Sequence, residues 1–161
     1  MAKLYILLGS NIGDRAKNLA QSLSLLAKEK INFIRKSLIY ETEPWGYYDQ
    51  PPFYNQAVEV ETTLSPEDFL NTIKSIEKAM GRVNFGRWKE RLIDIDLIFY
   101  EDKIVKTENL IVPHPEMQTR KFVLLPLAEI APGFKHPVLG LTVNDLLNNC
   151  KDNLKVRTID S

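Results

Sequence analysis

Apolar stretches of two different periods follow one another in this chain in the order strand, helix, strand, strand, helix, strand. Lys3–Leu8 is an apolar run ending in the turn signal Gly9-Ser10-Asn11. From Asp14 to Lys28, Ala16, Leu19, Leu23 and Leu26 recur at helical spacing. Ile31–Thr42 is rich in β-branched residues and reads as one long strand. Phe53–Thr62 alternates, with Ala57, Glu59 and Glu61 on one face and Val58 and Val60 on the other. Ser65-Pro66-Glu67-Asp68 then starts a helix: serine caps, proline takes the first position, and the acids complement the dipole. Its stripe is Phe69, Leu70, Ile73, Ile76 and Met80, and Gly81 ends it. Leu92–Tyr100 closes the series as a strand whose apolar flanks predict a central place in the sheet. This order predicts a ferredoxin-like α+β fold, β-α-β-β-α-β, an antiparallel sheet with both helices on one face.

A C-terminal extension follows. Lys103–Val105 reads as a short strand and Val112-Pro113-His114-Pro115 as a turn. Phe122–Ile130 reads as a helix with Pro126 confined to its first turn. Thr142–Asn149 reads as a helix capped by Thr142, with Asp145 in the capping-box position. Lys151–Ser161 is either a last edge strand or a frayed end. No linker or repeat divides the chain, so residues 1–161 form a single domain, as 161 residues allow.

Net charge excludes some partners. Lysine plus arginine and aspartate plus glutamate both number 21, which leaves no basic field for nucleic acid. The start, MAKLYILLGS, is too short in apolar residues for a signal peptide, and no run is long enough to span a membrane. The lone Cys150 pairs with nothing inside the chain and reads as a small buried residue. A soluble cytoplasmic protein is expected.

The chemistry concentrates in Arg82–Asp96, RVNFGRWKERLIDID. Arg82, Arg87, Lys89 and Arg91 crowd a segment containing Gly86, which runs into Asp94-Ile95-Asp96. Strand alternation puts the two aspartates on one face, about 6.6–6.8 Å apart along the strand, with Ile93, Ile95 and Leu97 opposite. Two carboxylates side by side repel without a cation. Arginines beside paired carboxylates suit a polyphosphate carrying magnesium, and two aspartates can bridge two Mg2+ ions. Gly86 would let the cationic loop close over a substrate, with Trp88 covering a flat ligand.

Other residues admit two readings each. Trp45, Phe53 and Phe122 line a heterocycle pocket or pack the core. Asn55 offers a donor and an acceptor to the edge of a nitrogen heterocycle, or caps a turn; Thr42 can add a contact beside it. His114, with Arg120 six residues on, donates to an anionic ligand or serves the turn. Glu77 is a solvated helix residue or a polar anchor at the nucleotide end. Gly9-Ser10-Asn11 with Gly13 lacks the lysine of a P-loop, so a tight turn into the first helix is favoured.

Taken in order, GSNIGD, ETEPWG with Gln50-Pro51 and Asn55, Ile76-Glu77 with Gly81-Arg82, Arg87-Trp88, Arg91-x-x-Asp94-x-Asp96, Val112-Pro113-His114, and Arg120-x-Phe122 with Pro126-Leu127-x-Glu129-Ile130 resemble the 6-hydroxymethyl-7,8-dihydropterin pyrophosphokinase family. The resemblance spans residues 3–135. It implies transfer of pyrophosphate from ATP to 6-hydroxymethyl-7,8-dihydropterin in folate biosynthesis, by a ferredoxin-like monomer with two Mg2+ ions on Asp94 and Asp96. It further implies a pterin pocket of Thr42, Pro44, Trp45, Phe53, Asn55 and Phe122. Arg82 and Arg91 would act on the phosphates. Arg87, Trp88, His114 and Arg120 would hold ATP, with Glu77 and Leu97 near the nucleoside. Loops 43–52 and 82–91 would be the lids. Lys89-Glu90 stands where Gly-Pro is common in the family, and Asn84 replaces a second basic residue. A metal-dependent nucleotidyltransferase would place its Gly-Ser about a helix from its acidic strand, whereas more than eighty residues separate Ser10 from Asp94. A ligand-sensing module would have no use for paired acids beside a cationic loop.

Overall fold

The first strand, β1 (Ala2–Ser10), is buried from Leu4 onward on both faces, so it must sit in the middle of a sheet covered on both sides. The computed structural model, which describes residues 1–42, 51–81 and 92–159, shows this arrangement. The chain continues through α1 (Arg15–Ala27), β2 (Ile31–Lys36), β3 (Ile39–Thr42), β4 (Phe53–Thr62), α2 (Pro66–Ala79) and β5 (Asp94–Tyr100). It then passes through β6 (Val105–Lys106), β7 (Ile111–Val112), a 3-10 turn (Met117–Thr119), α3 (Lys121–Ile130), α4 (Val143–Asn149) and β8 (Val156–Ile159). The strand order is β5-β1-β4-β3-β8, with β2 also on β4, and every pair in this sheet is antiparallel. This is the ferredoxin-like order with one strand added at an edge.

Local chemistry explains most element boundaries. The Asp14 carboxylate caps α1 by accepting from Lys17 N–H, and Ser65 caps α2 through Asp68 N–H. Gly81 turns the chain out of α2 at φ +81°, a conformation that favours glycine. The capping box of Thr142 and Asp145 opens α4. Asn18 in α1 donates to Ser10 Oγ and Ile12 O, which makes the Gly9–Gly13 stretch the tight turn expected of it.

Three expectations are corrected. The long strand Ile31–Thr42 is broken at Ser37-Leu38: Ser37 Oγ accepts Ala57 N–H in place of a ladder bond, and Glu129 takes the Leu38 N–H. Pro126 lies at the sixth position of α3, not in its first turn; the helix starts at Lys121 and tolerates one missing donor in its interior. The two helices of the β-α-β-β-α-β unit share one face as expected, α1 and α2 enclosing Leu4, Ile6, Leu8, Val58 and Val60, while the extension's α3 and α4 cover the other face at Tyr5, Leu7 and Ala57. Finally, β5 is not central. Among the described residues it pairs with β1 alone, and its apolar run reflects burial of its two faces rather than of its edges. The last residues do form an edge strand, β8 on β3.

Candidate active site

Register brings the polar residues together. Gly9 pairs with Asp94 of β5 on one side and Asn55 of β4 on the other, and Asn55 pairs with Tyr40 of β3. Cross-strand partners share a face, so Asp94, Gly9, Asn55 and Tyr40 form one row on the side of the sheet that carries α3. At about 4.8 Å per strand, the backbones of Asp94 and Asn55 stand roughly 9.5 Å apart. Asp96 lies one row away beside Leu7, and Phe53 and Thr42 pair in the row on the other side.

Gly9 allows a close approach here. A Cβ at this position would come within 2.8 Å of Asn55 Oδ1, so the Asn55 side chain leans across the glycine toward the Asp94 side of the row. Asn55 is 3% exposed and inside a strand, which removes the turn-capping reading. Thr42 is 1% exposed, and its Oγ1 has no hydrogen-bond partner among the described residues. An orphaned buried hydroxyl costs free energy unless a ligand or water meets it.

The two aspartates are less buried than a central strand would make them. Asp96 is exposed and Asp94 half-buried, while Ile95 and Leu97 between them pack among α1 and α2. A shared, accessible face therefore carries the metal reading, rather than desolvation. Two hard carboxylate oxygen donors with room for waters and phosphate oxygens fit magnesium, which takes few protein ligands. Leu97 points into the core on the opposite face, so only its backbone is placed for a ligand on the aspartate face.

Glu77 is a polar anchor. It is 8% exposed, and its carboxylate accepts Ile95 N–H at 2.9 Å, fastening α2 to β5 between the two aspartates. His114 docks against β5 by donating its backbone N–H to Ile98 O at 3.0 Å. Its Nδ1 accepts Glu116 N–H at 3.2 Å, which leaves Nε2 as the protonated nitrogen of a neutral ring. Burial, helped by the Arg120 guanidinium and opposed by Glu116, pushes its pKa down to about 4. The imidazole is thus a neutral donor at pH 7. Arg120 is paired to Glu116 through Nη2 and sits 5.8 Å from the Phe122 ring centroid. Phe122 is half-buried at the start of α3.

The described residues therefore unite Asp94, Asp96 and Asn55 with Phe53 and Thr42 on one face. They set His114 beside β5 and bring Arg120 next to Phe122. Pro44, Trp45, Arg82, Arg87, Trp88 and Arg91 lie outside the described residues, as do both expected lids apart from Pro51 and Pro52. Sequence reasoning missed Gly9 as a site residue, although a glycine inside an apolar strand is a signal of close approach. Tyr40, at the end of the row, is a structural tie whose hydroxyl donates to Glu129 of α3 at 2.7 Å. Among the described residues, no cluster of three or more metal-type side chains occurs, and no helix is long and apolar enough to cross a membrane.

A family model described as 7,8-dihydro-6-hydroxymethylpterin-pyrophosphokinase matches residues 5–132. The 2-amino-4-hydroxy-6-hydroxymethyldihydropteridine pyrophosphokinase of Bacillus subtilis is 48% identical over 127 residues, covering 78% of this chain and 76% of that protein. The folic acid synthesis protein of Dictyostelium discoideum is 45% identical over 157 residues, covering 97% of this chain. The chain spans only 24% of that larger protein. The wild-type Plasmodium falciparum HPPK-DHPS crystallised with pteroate superposes with a TM-score of 0.73 at 20% identity, over 92% of this chain and 42% of that one. At that identity the likeness is one of fold.

Proposed function

We propose that this chain, which belongs to the 7,8-dihydro-6-hydroxymethylpterin-pyrophosphokinase family, transfers the terminal pyrophosphate of ATP to 6-hydroxymethyl-7,8-dihydropterin and releases AMP, a step of tetrahydrofolate biosynthesis. The observation that carries this reading is the row Asp94–Gly9–Asn55, which sets a carboxylate and a heterocycle-reading carboxamide on either side of a residue without a side chain.

The roles are those the family resemblance implies, supported for the described residues by their places on one face of the sheet. Asn55 reads the pterin edge, Thr42 Oγ1 meets a ring polar atom, and Phe53 and Phe122, with Pro44 and Trp45, form the apolar walls. The acceptor oxygen attacks the β-phosphorus in line, the bond from that phosphorus to the oxygen of the α-phosphate breaks, and AMP departs. Asp94, or polarisation of the hydroxyl by bound metal, would be enough to account for loss of the hydroxyl proton. Arg82 and Arg91 neutralise the transferring phosphates, while Arg87, Trp88, His114 and Arg120 hold ATP, with Glu77 fixing the strand below. Asp94 and Asp96 would hold magnesium, as two ions, which would supply charge neutralisation. Acceleration comes mainly from positioning and electrostatics. The form proposed for the enzyme is a cytoplasmic monomer.

A coupled assay of AMP release with ATP, Mg2+ and the dihydropterin tests this reading. AMP formation that depends on the pterin supports it. Absence of AMP with all three present overturns it.

A further inference from the structure

The two walls of the acceptor pocket come from distant parts of the chain. One is β3–β4, with Thr42, Phe53 and Asn55; the other is the start of α3, with Phe122. Glu129 ties the far end of α3 to Leu38 and Tyr40, and one short segment beyond residues 5–132 matched by the family model touches both the start of α3 and β3. Asp152 Oδ2 accepts the N–H of Lys121, the first residue of α3, at 3.0 Å. Arg120, at the cap position of that helix, makes no side-chain cap bond, so Asp152 supplies the capping carboxylate from 31 residues away. Its other oxygen accepts Leu154 N–H at 2.9 Å, which fixes the carboxylate's direction. Four residues after Asp152 the chain enters β8, where Val156 pairs with Thr42 and Thr158 with Tyr40. Arg157 adds bonds from Nε and Nη2 to Glu41 Oε1 at 3.0 and 2.6 Å.

We infer that the segment from Asp152 to Ile159 is a strap that sets the gap between the Phe122 wall and the Thr42 wall, with Asp152 as a positioning residue for the pterin substrate. Asp152 touches no reacting atom; it acts through Lys121 N–H on the helix turn that carries Phe122. A heterocycle slotted between two walls is sensitive to displacements of well under 1 Å, because dispersion contacts fall steeply with a gap. ATP is held mainly from the β5 and His114 side; of its proposed described contacts only Arg120 borders this turn, and its guanidinium is tied to Glu116, so the ATP site responds less than the pterin site. The inference rests on the pterin-pocket reading given above.

The test uses the full chain. Asp152→Ala raises the KM for the dihydropterin about fivefold, with the KM for ATP and kcat within about twofold of the unaltered protein. Asp152→Asn keeps one acceptor oxygen and gives the same selective rise at smaller size. Thr142→Ala, which removes the α4 cap, lowers the melting temperature without a selective rise and so separates positioning from general destabilisation. Amide hydrogen exchange gives a readout independent of activity: Asp152→Ala speeds exchange at Lys121–Leu124 and at Tyr40–Thr42 together. An unchanged pterin KM, an equal rise in both KM values, or faster exchange at α3 alone overturns the strap. A protein that forms no AMP while both segments respond in exchange overturns the pyrophosphokinase reading and leaves the mechanical link standing.

Discussion

The two faces of the sheet use the same strands for opposite ends. On the α1–α2 face, Leu4, Ile6, Leu8, Val58 and Val60 meet Leu19, Leu26, Phe69 and Ile73 in a continuous apolar layer. On the α3–α4 face the apolar layer covers Tyr5, Leu7 and Ala57 and gives way at the next row to Asp94, Gly9 and Asn55. The same alternation of β1 and β4 builds both. The difference teaches that the α1–α2 layer is apolar throughout while the other face divides into an apolar layer and polar rows, so changes in the apolar layers should move stability and changes in the polar rows should move turnover.

Asp96→Ala is the strongest way to break this division. Turnover should fall by a thousandfold or more, about 4 kcal/mol of transition-state stabilisation, while the urea midpoint stays within the roughly 0.5 kcal/mol of a surface change, because Asp96 is exposed. Retained activity would remove the aspartate from the metal site. Phe69→Ala, at a fully buried position on the other face, should cost about 3–4 kcal/mol in denaturant unfolding. The KM values of the fraction that remains folded should not change. A selective rise in one KM would show that the faces are coupled.

The helices with strong punctuation, α2 between Ser65 and Gly81 and α4 behind Thr142, were legible because capping chemistry is local. The ferredoxin-like class followed from element order alone. The break at Ser37-Leu38 was not legible: it depends on a carboxylate from Glu129, about ninety residues away, that satisfies an N–H the ladder abandons. The placing of β5 at an edge was hidden because burial of two faces and burial of two edges produce the same apolar run. Asp94, Asp96 and Asn55 could be picked out by residue type, but their row around Gly9 needed the register. Asp152 carried no signal, since its partner is a backbone N–H of a helix with an ordinary sequence.

His114 sits at the boundary of the two regimes, a site residue whose burial also makes it a stability element. Its pKa is about 4 in the folded protein against 6.5 for the free side chain. Between these values the unfolded chain binds more protons, so stability rises with pH there. The contribution is complete above pH 6.5 and is lost as pH falls toward 4, by up to about 3 kcal/mol. His136, also lowered by burial, acts in the same direction. Urea midpoints measured from pH 4 to 7.5 should fall on acidification, and His114→Gln should flatten part of that slope. An unchanged slope would mean that the imidazole is solvated.

Gly9→Ala sharpens the comparison at the smallest scale, since one methyl group lands on the functional face of a central strand. The atom it would strike, Asn55 Oδ1 at 2.8 Å, is the end of a side chain that can rotate away. The steric cost is therefore relieved by moving a functional group rather than the backbone, and alanine loses less chain entropy than glycine in a strand. Unfolding free energy should change by no more than about 1 kcal/mol. Affinity for the dihydropterin should fall about tenfold, or 1.4 kcal/mol, with ATP binding unaffected. If the loss arises from the displaced carboxamide, Asn55→Ala and the double variant should weaken pterin binding to a similar extent, because the two changes remove one interaction. Additive losses would instead mean that the methyl group itself blocks the ligand, and that the open strip above Gly9 is part of the pterin's own footprint.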